Sequence, residues 1–386
     1  MKKNEKIRIM YLISSLGSGG AERQLVELAK NIDKEKYKPF IVIYRNIIHY
    51  KYILDVEGVS VTCIEMNRNP IFLPIFLWKL VKFIKENKID IIHSYMPGSN
   101  LWGRLAGKLA GCKIVIPSIR NAKTPLIYQF RNYWPEYVLK NWTTCIISNS
   151  YKAKQEYLKN VITADDKFIT VIHNGIDLSI IPDRYDVPIE EQRSKYNIQN
   201  DNFAIICIAS ICKRKNQLCL LRAINNINRT NLKVLFVGFT LDEKYYQKLK
   251  TYINENQLGD IVSFLGEQQD VFSIMRIADV LVLPSRGEGF PNVVMEAMSV
   301  SLPVIASDVS DIKYLVKDGI NGYVFPDNDH NRLAELIEKM LSMEPSKRKE
   351  MGRAGRKIIE ENYTIEKMVK KTEAVYEEAL KRFNRI

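Results

Sequence analysis

A chain of 386 residues, 46% hydrophobic and 26% charged, has material for about two packed domains and is too apolar to be disordered. Its formal net charge of +13 belongs almost wholly to residues 1–180, where 27 Lys and Arg stand against 15 Asp and Glu; the remainder holds 30 against 29. No run reaches the roughly 18–20 apolar residues of a membrane-spanning helix, and the opening Met1-Lys-Lys-Asn-Glu is too polar for a signal peptide, so a cytoplasmic protein is expected.

Read in chain order, strand-like runs occur at Ile7–Ser14, Phe40–Tyr44, Val59–Ile64, Ile89–Ser94, Lys113–Ile119, Thr143–Asn149 and Phe168–Ile172. A second set follows at Phe203–Ser210, Leu232–Val237, Ile261–Leu265, Val280–Pro284, Pro303–Ser307 and Gly322–Phe325. Many are unbroken Ile/Val-rich runs, the pattern of strands buried on both faces of a parallel sheet. Helical patterns such as Ala21–Asn31, Asn216–Asn226 and Leu241–Asn256 supply crossovers, and Asn331–Met343, Pro345–Glu360 and Thr364–Asn384 close the chain. The expected class is α/β, with two Rossmann-like doubly wound parallel sheets. The first domain is placed at 1–180 and the second at 202–363. The polar, Pro-containing stretch 181–201 reads as a linker, and 364–386 as a terminal helix able to return to the first domain.

The six cysteines, Cys63, Cys112, Cys145, Cys207, Cys212 and Cys219, form no C-x-x-C pair, and only four histidines accompany them. They read as reduced core thiols, and no metal or cofactor is expected. Asp327-Asn-Asp329 has a metal-binding D-x-D form but follows a strand with no adjacent ligand motif, and reads as a surface loop.

The chemistry concentrates in Val280-Leu-Val-Leu-Pro-Ser-Arg-Gly-Glu-Gly-Phe-Pro-Asn-Val-Val-Met-Glu-Ala-Met298. A buried strand ends, a Gly-rich loop follows, and a helix begins near Asn292. In open α/β sheets ligands bind at that place, and the helix start suits a diphosphate. Glu288 in the loop and Glu296 on the second helical turn are carboxylates able to accept hydrogen bonds from sugar and ribose hydroxyls.

This stretch resembles the donor-site motif of retaining GT-B glycosyltransferases of family four. Pro303-Val-Ile-Ala-Ser-Asp, Asp318-Gly-Ile-Asn-Gly-Tyr-Val, Asn174-Gly-Ile-Asp and Gly17-Ser-Gly-Gly-Ala-Glu-Arg are similar to further motifs of that family, in order over most of the chain. The resemblance implies two domains facing a central cleft and a metal-independent, retaining transfer from a nucleotide-sugar, a UDP-sugar. The cosubstrate takes the place of a cofactor. Glu288 would bind the transferred sugar and Glu296 the ribose. The segment Gly289, Phe290, Pro291, Asn292 and Val293 would meet the donor, with amides around Asn292 and Val293 on its diphosphate. Lys215 matches the lysine that neutralises the leaving diphosphate, a place where charge builds as the glycosidic bond breaks.

Two departures stand out. Ser210 occupies the donor-side position where many relatives carry Arg, with Lys213 or Arg214 as substitutes. Val309-Ser-Asp-Ile-Lys-Tyr replaces a segment that usually holds two glycines and a glutamate. Gly19 and Gly20, after the first strand, would let backbone approach the donor phosphates. Taken alone that loop could suggest a dinucleotide site, but Glu22 occupies the third glycine position. His93, at the end of a strand, is either a satisfied structural residue or, as the resemblance implies, a catalytic residue on the acceptor side. Arg120 and Asn121 are further acceptor-side candidates.

Pro74-Ile-Phe-Leu-Trp-Lys-Leu-Val-Lys-Phe-Ile-Lys reads as a helix. Lys79, Lys82, Lys85 and Lys88 line one drifting stripe, while Ile75, Phe76, Leu80, Phe83 and Ile84 favour other faces. It is either a crossover helix on its sheet or a helix lying on anionic lipid. The aromatic segment Tyr128–Trp142 offers the same choice between core and interface. Both fall in the basic half, which motivates an acceptor saccharide, free or on polyprenyl diphosphate, in surface polysaccharide assembly at the inner membrane face. A UDP-sugar epimerase or hydrolase is the alternative enzyme. A nucleic-acid partner is not expected, since no helix-turn-helix, zinc or RNP signature is present.

Overall fold

The computed structural model describes residues 5–17, 19–67, 69–120, 139–160, 168–181, 187–227 and 231–383. The chain divides into two compact units, Met1–Gly175 with Ile365–Ile386, and Ile176–Thr364. Unit 1 is built on strands β1 (Ile7–Ile13), β2 (Tyr37–Ile43), β3 (Ser60–Cys63), β4 (Ile91–Tyr95), β5 (Ile114–Ile119), β6 (Ile146–Ser148) and β7 (Ile169–Val171). They form a parallel sheet in the order β3-β2-β1-β4-β5-β6-β7.

Alternation along β1 shows why the unbroken apolar run is needed. Ile9, Tyr11 and Ile13 enter one core, shared with the Gly20–Asn31 and Ile365–Arg382 helices. Met10 and Leu12 enter the core on the other face, closed by Phe76, Leu80 and Ile84 of the Leu73–Glu86 helix. A residue on either face must be apolar, each burial contributing about 1.5–3 kcal/mol. The Leu73–Glu86 helix is thus a crossover helix, yet Ile71, Phe72, Ile75 and Trp78 at its start are exposed along with Lys79, Lys82 and Lys85. Ile75, off the lysine stripe, is exposed, whereas Phe76, Leu80 and Ile84 are buried. Among the described residues no helix is long and apolar enough to cross a membrane.

Unit 2 repeats the scheme with β8 (Phe203–Ile208), β9 (Leu232–Val237), β10 (Val262–Gly266), β11 (Val280–Leu283), β12 (Val304–Ser307) and β13 (Gly322–Phe325), in the order β10-β9-β8-β11-β12-β13 and all parallel. Val280 and Val282 face one core, Leu281 and Leu283 the other.

Of the stretch read as a linker, the described residues 187–201 pack with unit 2. It carries the Ile189–Lys195 helix, and Ile189, Tyr196 and Ile198 rest on the unit 2 core. Arg193 staples it down: Nη1 donates to Ile277 O (2.9 Å) and Nη2 to Asn202 O (2.6 Å). Its polarity obscured this because only a few apolar side chains, together with the Arg193 bonds to backbone carbonyls, hold it. Unit 2 also begins before residue 180. Ile176 N donates to Tyr363 O at 2.9 Å, and Ile176 bridges Thr364 in parallel. The Ile365–Arg382 helix packs with unit 1, where Tyr376 is wholly buried.

Candidate active site

In both sheets the chain moves outward over three strands and then returns to the other side of the first. The strand order reverses between β1 and β4 in unit 1 and between β8 and β11 in unit 2, and crevices open at the carboxyl ends of such pairs.

At the unit 2 reversal, β11 ends in the loop Pro284–Pro291 and β8 in the loop Ala209–Asn216. Asn216 adopts a left-handed conformation (φ 53°) as N-cap of the Gln217–Asn225 helix, turning the chain so that Lys215 points back. Lys215 Nζ lies 2.6 Å from Glu288 Oε1, with the two side chains 15% and 8% exposed. Arg214 Nη1 stands 3.5 Å from Glu288 Oε2 and donates to Gly287 O at 2.9 Å, and Arg286 N donates to Arg214 O at 2.9 Å. Burial alone would raise the Glu288 pKa, but the charges of Lys215 and Arg214 outweigh it and hold the carboxyl below its ordinary value. Glu288 is therefore an anion at neutral pH, placed by cations from the neighbouring strand.

The Asn292–Ser299 helix follows, with Pro291 as an N-cap that offers no side-chain hydrogen bond. Val293 is half-buried and Glu296 is 7% exposed on the second turn. The Phe290 side chain is buried in unit 2. It is 3% exposed and its ring meets Tyr363 at 5.3 Å, so it anchors the turn. Gly289 O accepts the Ser310 hydroxyl. Ser310 itself sits at φ 54°, so the loop that departs from its relatives in sequence still grips the turn, with serine tolerating a backbone that favours glycine. Ser210 supplies no charge; its hydroxyl reaches Cys212 Sγ at 4.0 Å, and its carbonyl accepts from Gln217 Nε2 at 3.0 Å.

Gly238, just after β9, escaped the sequence reading. Its φ is 141°, and a Cβ there would fall 2.3 Å from Ala209 O, so only glycine lets this backbone pass the loop after β8. A glycine directly after a buried strand was the available signal. In the D-x-D segment, Asp329 caps the His330–Leu341 helix through Arg332 N (2.9 Å), and Asp327 lies 3.9 Å from Arg286. Both have structural partners.

The unit 1 reversal is different in kind. His93, at the end of β4, is 1% exposed, with Nδ1 2.6 Å from Tyr376 Oη and Nε2 2.8 Å from Ser118 Oγ. Burial first, then the Arg120 charge, push its pKa well below the ordinary value. A neutral imidazole has one donor and one acceptor, and both are engaged. Both ring nitrogens of His93 are engaged, and these contacts tie β4, β5 and the terminal helix together. The sequence could not show Tyr376, which lies 283 residues away.

Arg120 rests 4.6 Å over the Tyr95 ring and donates through Nη1 to Asn174 Oδ1 (3.0 Å). Asn121 lies outside the described residues, as do 128–138 of the aromatic segment. Gly19 and Gly20 are exposed at the start of the Gly20–Asn31 helix. A Cβ on Gly19 would meet Glu22 Oε2 at 2.3 Å, so this glycine makes room for a carboxyl that folds back onto its own amide. Gln24, unnoticed in the sequence, pairs both its amide atoms with the backbone of Gly175: Nε2 donates to the carbonyl (2.8 Å) and Oε1 accepts from the amide (3.0 Å).

The profile of the family described as "Glycosyl transferases group 1" matches residues 188–358, and that of "Glycosyltransferase Family 4" matches 18–180. An uncharacterized glycosyltransferase of Methanocaldococcus jannaschii, MJ1178, is 30% identical over 311 residues, covering 78% of this chain and 79% of the relative. The chain belongs to glycosyltransferase family 4. The glycosyltransferase is also similar to the UDP-Gal:alpha-D-GlcNAc-diphosphoundecaprenol alpha-1,3-galactosyltransferase of Escherichia coli, 27% identical over 321 residues and 78% of each chain. Its fold is that of Anabaena Alr3699/HepE, whose structure in complex with UDP-glucose superposes with a TM-score of 0.86 at 20% identity, over 96% of this chain and 100% of the other. This two-sheet architecture is the GT-B fold.

Proposed function

We propose that this glycosyltransferase moves a sugar from a UDP-sugar to a saccharide carried on polyprenyl diphosphate, in surface polysaccharide assembly, with no metal or further cofactor. One observation carries the reading: the ionised Glu288, held by Lys215 at the unit 2 strand reversal. A carboxylate has about four lone-pair sites, so Glu288 can accept hydrogen bonds from sugar hydroxyls while a cation stays nearby. Lys215 neutralises charge on the departing diphosphate, the amides at Asn292 and Val293 meet its phosphates, and Glu296 meets the ribose diol. The leaving phosphate oxygen takes the proton of the acceptor hydroxyl as the new bond forms on the same face, so the anomeric configuration is retained. The E. coli relative's name supports both the UDP-linked donor and the lipid-linked acceptor, and the Anabaena complex supports the donor.

Incubation with UDP-sugars and a short polyprenyl-diphosphate saccharide tests the reaction. The expected product is an extended saccharide with the donor's anomeric configuration, read by NMR coupling. An epimerised or hydrolysed sugar formed from donor alone contradicts transfer.

A lipid-linked acceptor places the enzyme at the inner membrane face. Exposed Ile71, Phe72, Ile75 and Trp78 beside Lys79, Lys82 and Lys85 suit anionic lipid, the apolar group entering the interface and each lysine adding about 1 kcal/mol near the surface. Vesicle sedimentation should show binding to anionic but not neutral lipid, lost in a Trp78→Ser, Lys82→Glu, Lys85→Glu variant whose turnover on a soluble acceptor is unchanged. Equal binding of that variant contradicts this surface.

A further inference from the structure

We infer that unit 1 carries a second ligand site, for a pyranose bearing a negative charge, at the end of its sheet opposite the strand reversal.

The site is a cavity of about 290 Å³ at the amino ends of β5 and β6. Three separate parts of the chain wall it: the turn after the Pro97–Ala110 helix, which leads into β5; the segment Asn141–Thr144, which leads into β6; and Phe383, just past the terminal helix. Gly111 ends the first helix in a left-handed turn at φ 78°, and this sharp stop brings Lys113 to the second wall, where Thr144 Oγ1 donates to Lys113 O at 3.2 Å. In a parallel sheet all amino ends share one edge, so the cavity and the β1/β4 crevice lie at opposite ends. The six residues of β5 alone span about 20 Å.

The lining is basic, aromatic and polar at once. Lys108 and Lys113 are exposed, neither forms an ion pair among the described residues, and none of the described lining residues is acidic. Lys108 Nζ lies 5.8 Å over the Trp142 ring, which fixes the half-buried indole beside a cation. Core packing gives no reason for that indole, since Trp142 joins none of the buried apolar clusters of unit 1. Among the described residues the Asn141 amide makes no hydrogen bond, and the Thr143 hydroxyl, donating to Leu139 O at 3.2 Å, keeps its lone pairs.

A charged sugar answers each of these features. The C–H face of a pyranose is apolar and packs on an indole, its hydroxyls pair with an amide and a hydroxyl oxygen, and a carboxylate or phosphate meets the two lysines. Ligand pockets usually hold roughly 300–1,000 Å³, so this one suits a single ring rather than a nucleotide or a lipid tail. A free sugar phosphate and a uronate within a polysaccharide share the required chemistry. Either is held far from the reacting bond, so the site anchors a saccharide without taking part in transfer.

Titration calorimetry of the full chain, with saturating UDP present to occupy unit 2, tests the site with four probes: glucose 1-phosphate, a glucuronate-containing disaccharide, glucose and inorganic phosphate. At least one anionic sugar should bind about tenfold tighter than glucose or inorganic phosphate, and the tighter of the two names the source, free metabolite or polymer. Lys113→Glu, at an exposed position, should weaken that binding at least about tenfold with the unfolding midpoint and the turnover on a short acceptor unchanged, and Trp142→Ala should weaken it comparably. Binding of neither anionic sugar, equally tight binding of glucose or inorganic phosphate, or undiminished binding in Lys113→Glu overturns the inference.

Discussion

The two sheets reverse strand order at corresponding places, and the side chains gathered there could hardly differ more. At the β1/β4 reversal His93 is neutral, buried and saturated by Tyr376 and Ser118. At the β8/β11 reversal Glu288 is ionised and paired with more positive charge than it can cancel. The same topology thus yields a closed polar knot in one unit and an anion-seeking cluster in the other. Position at a strand end marks where a ligand can bind; the hydrogen-bond capacity left over decides whether chemistry can occur there.

The sharpest break in that comparison is Glu288→Gln. It removes the charge that both cations face and turns one of the two accepting oxygens into a donor, and turnover should fall about a hundredfold while the unfolding midpoint moves by less than about 5 °C. A fully active variant would leave the charged cluster without a catalytic role. His93→Gln should act in the opposite sense. Leaving Tyr376 or Ser118 without a partner should cost about 2 kcal/mol of stability by denaturant unfolding, with turnover of the folded enzyme within threefold of wild type. Large loss of turnover at unchanged stability would return His93 to catalysis.

A smaller effect follows from protonation. Folding holds the His93 pKa below its unfolded value near 6.5, so above that pH neither state gains a proton at this site. As pH falls below about 6.5 the unfolded chain takes up a proton that the native His93 refuses, and stability should drop by up to about 1.4 kcal/mol per pH unit from this residue until its folded pKa is reached. Unfolding free energies between pH 7 and 5 in wild type and His93→Gln measure it: the variant should show the shallower slope, and identical slopes contradict a neutral buried His93.

The strands were legible because most of their residues on both faces are apolar, and runs such as Ile7–Ile13 and Val280–Leu283 announce themselves at one position's resolution. What escaped was held by other means. The Ile189–Lys195 helix is fastened by Arg193 to carbonyls, so its composition reads as linker. Glu288, Glu296 and Lys215 were visible as motif residues, but nothing in their spacing showed that Lys215 and Glu288, 73 positions apart, touch. Phe290 carries the motif yet serves the core, and Gln24 and Gly238 serve backbone packing that only the folded chain reveals.

A crystal structure of the full chain with UDP would test the account most directly. The diphosphate should lie within about 3 Å of Lys215 Nζ, at the ends of β8 and β11, with the ribose hydroxyls on Glu296. UDP bound elsewhere, with the Lys215–Glu288 pair undisturbed, would contradict it.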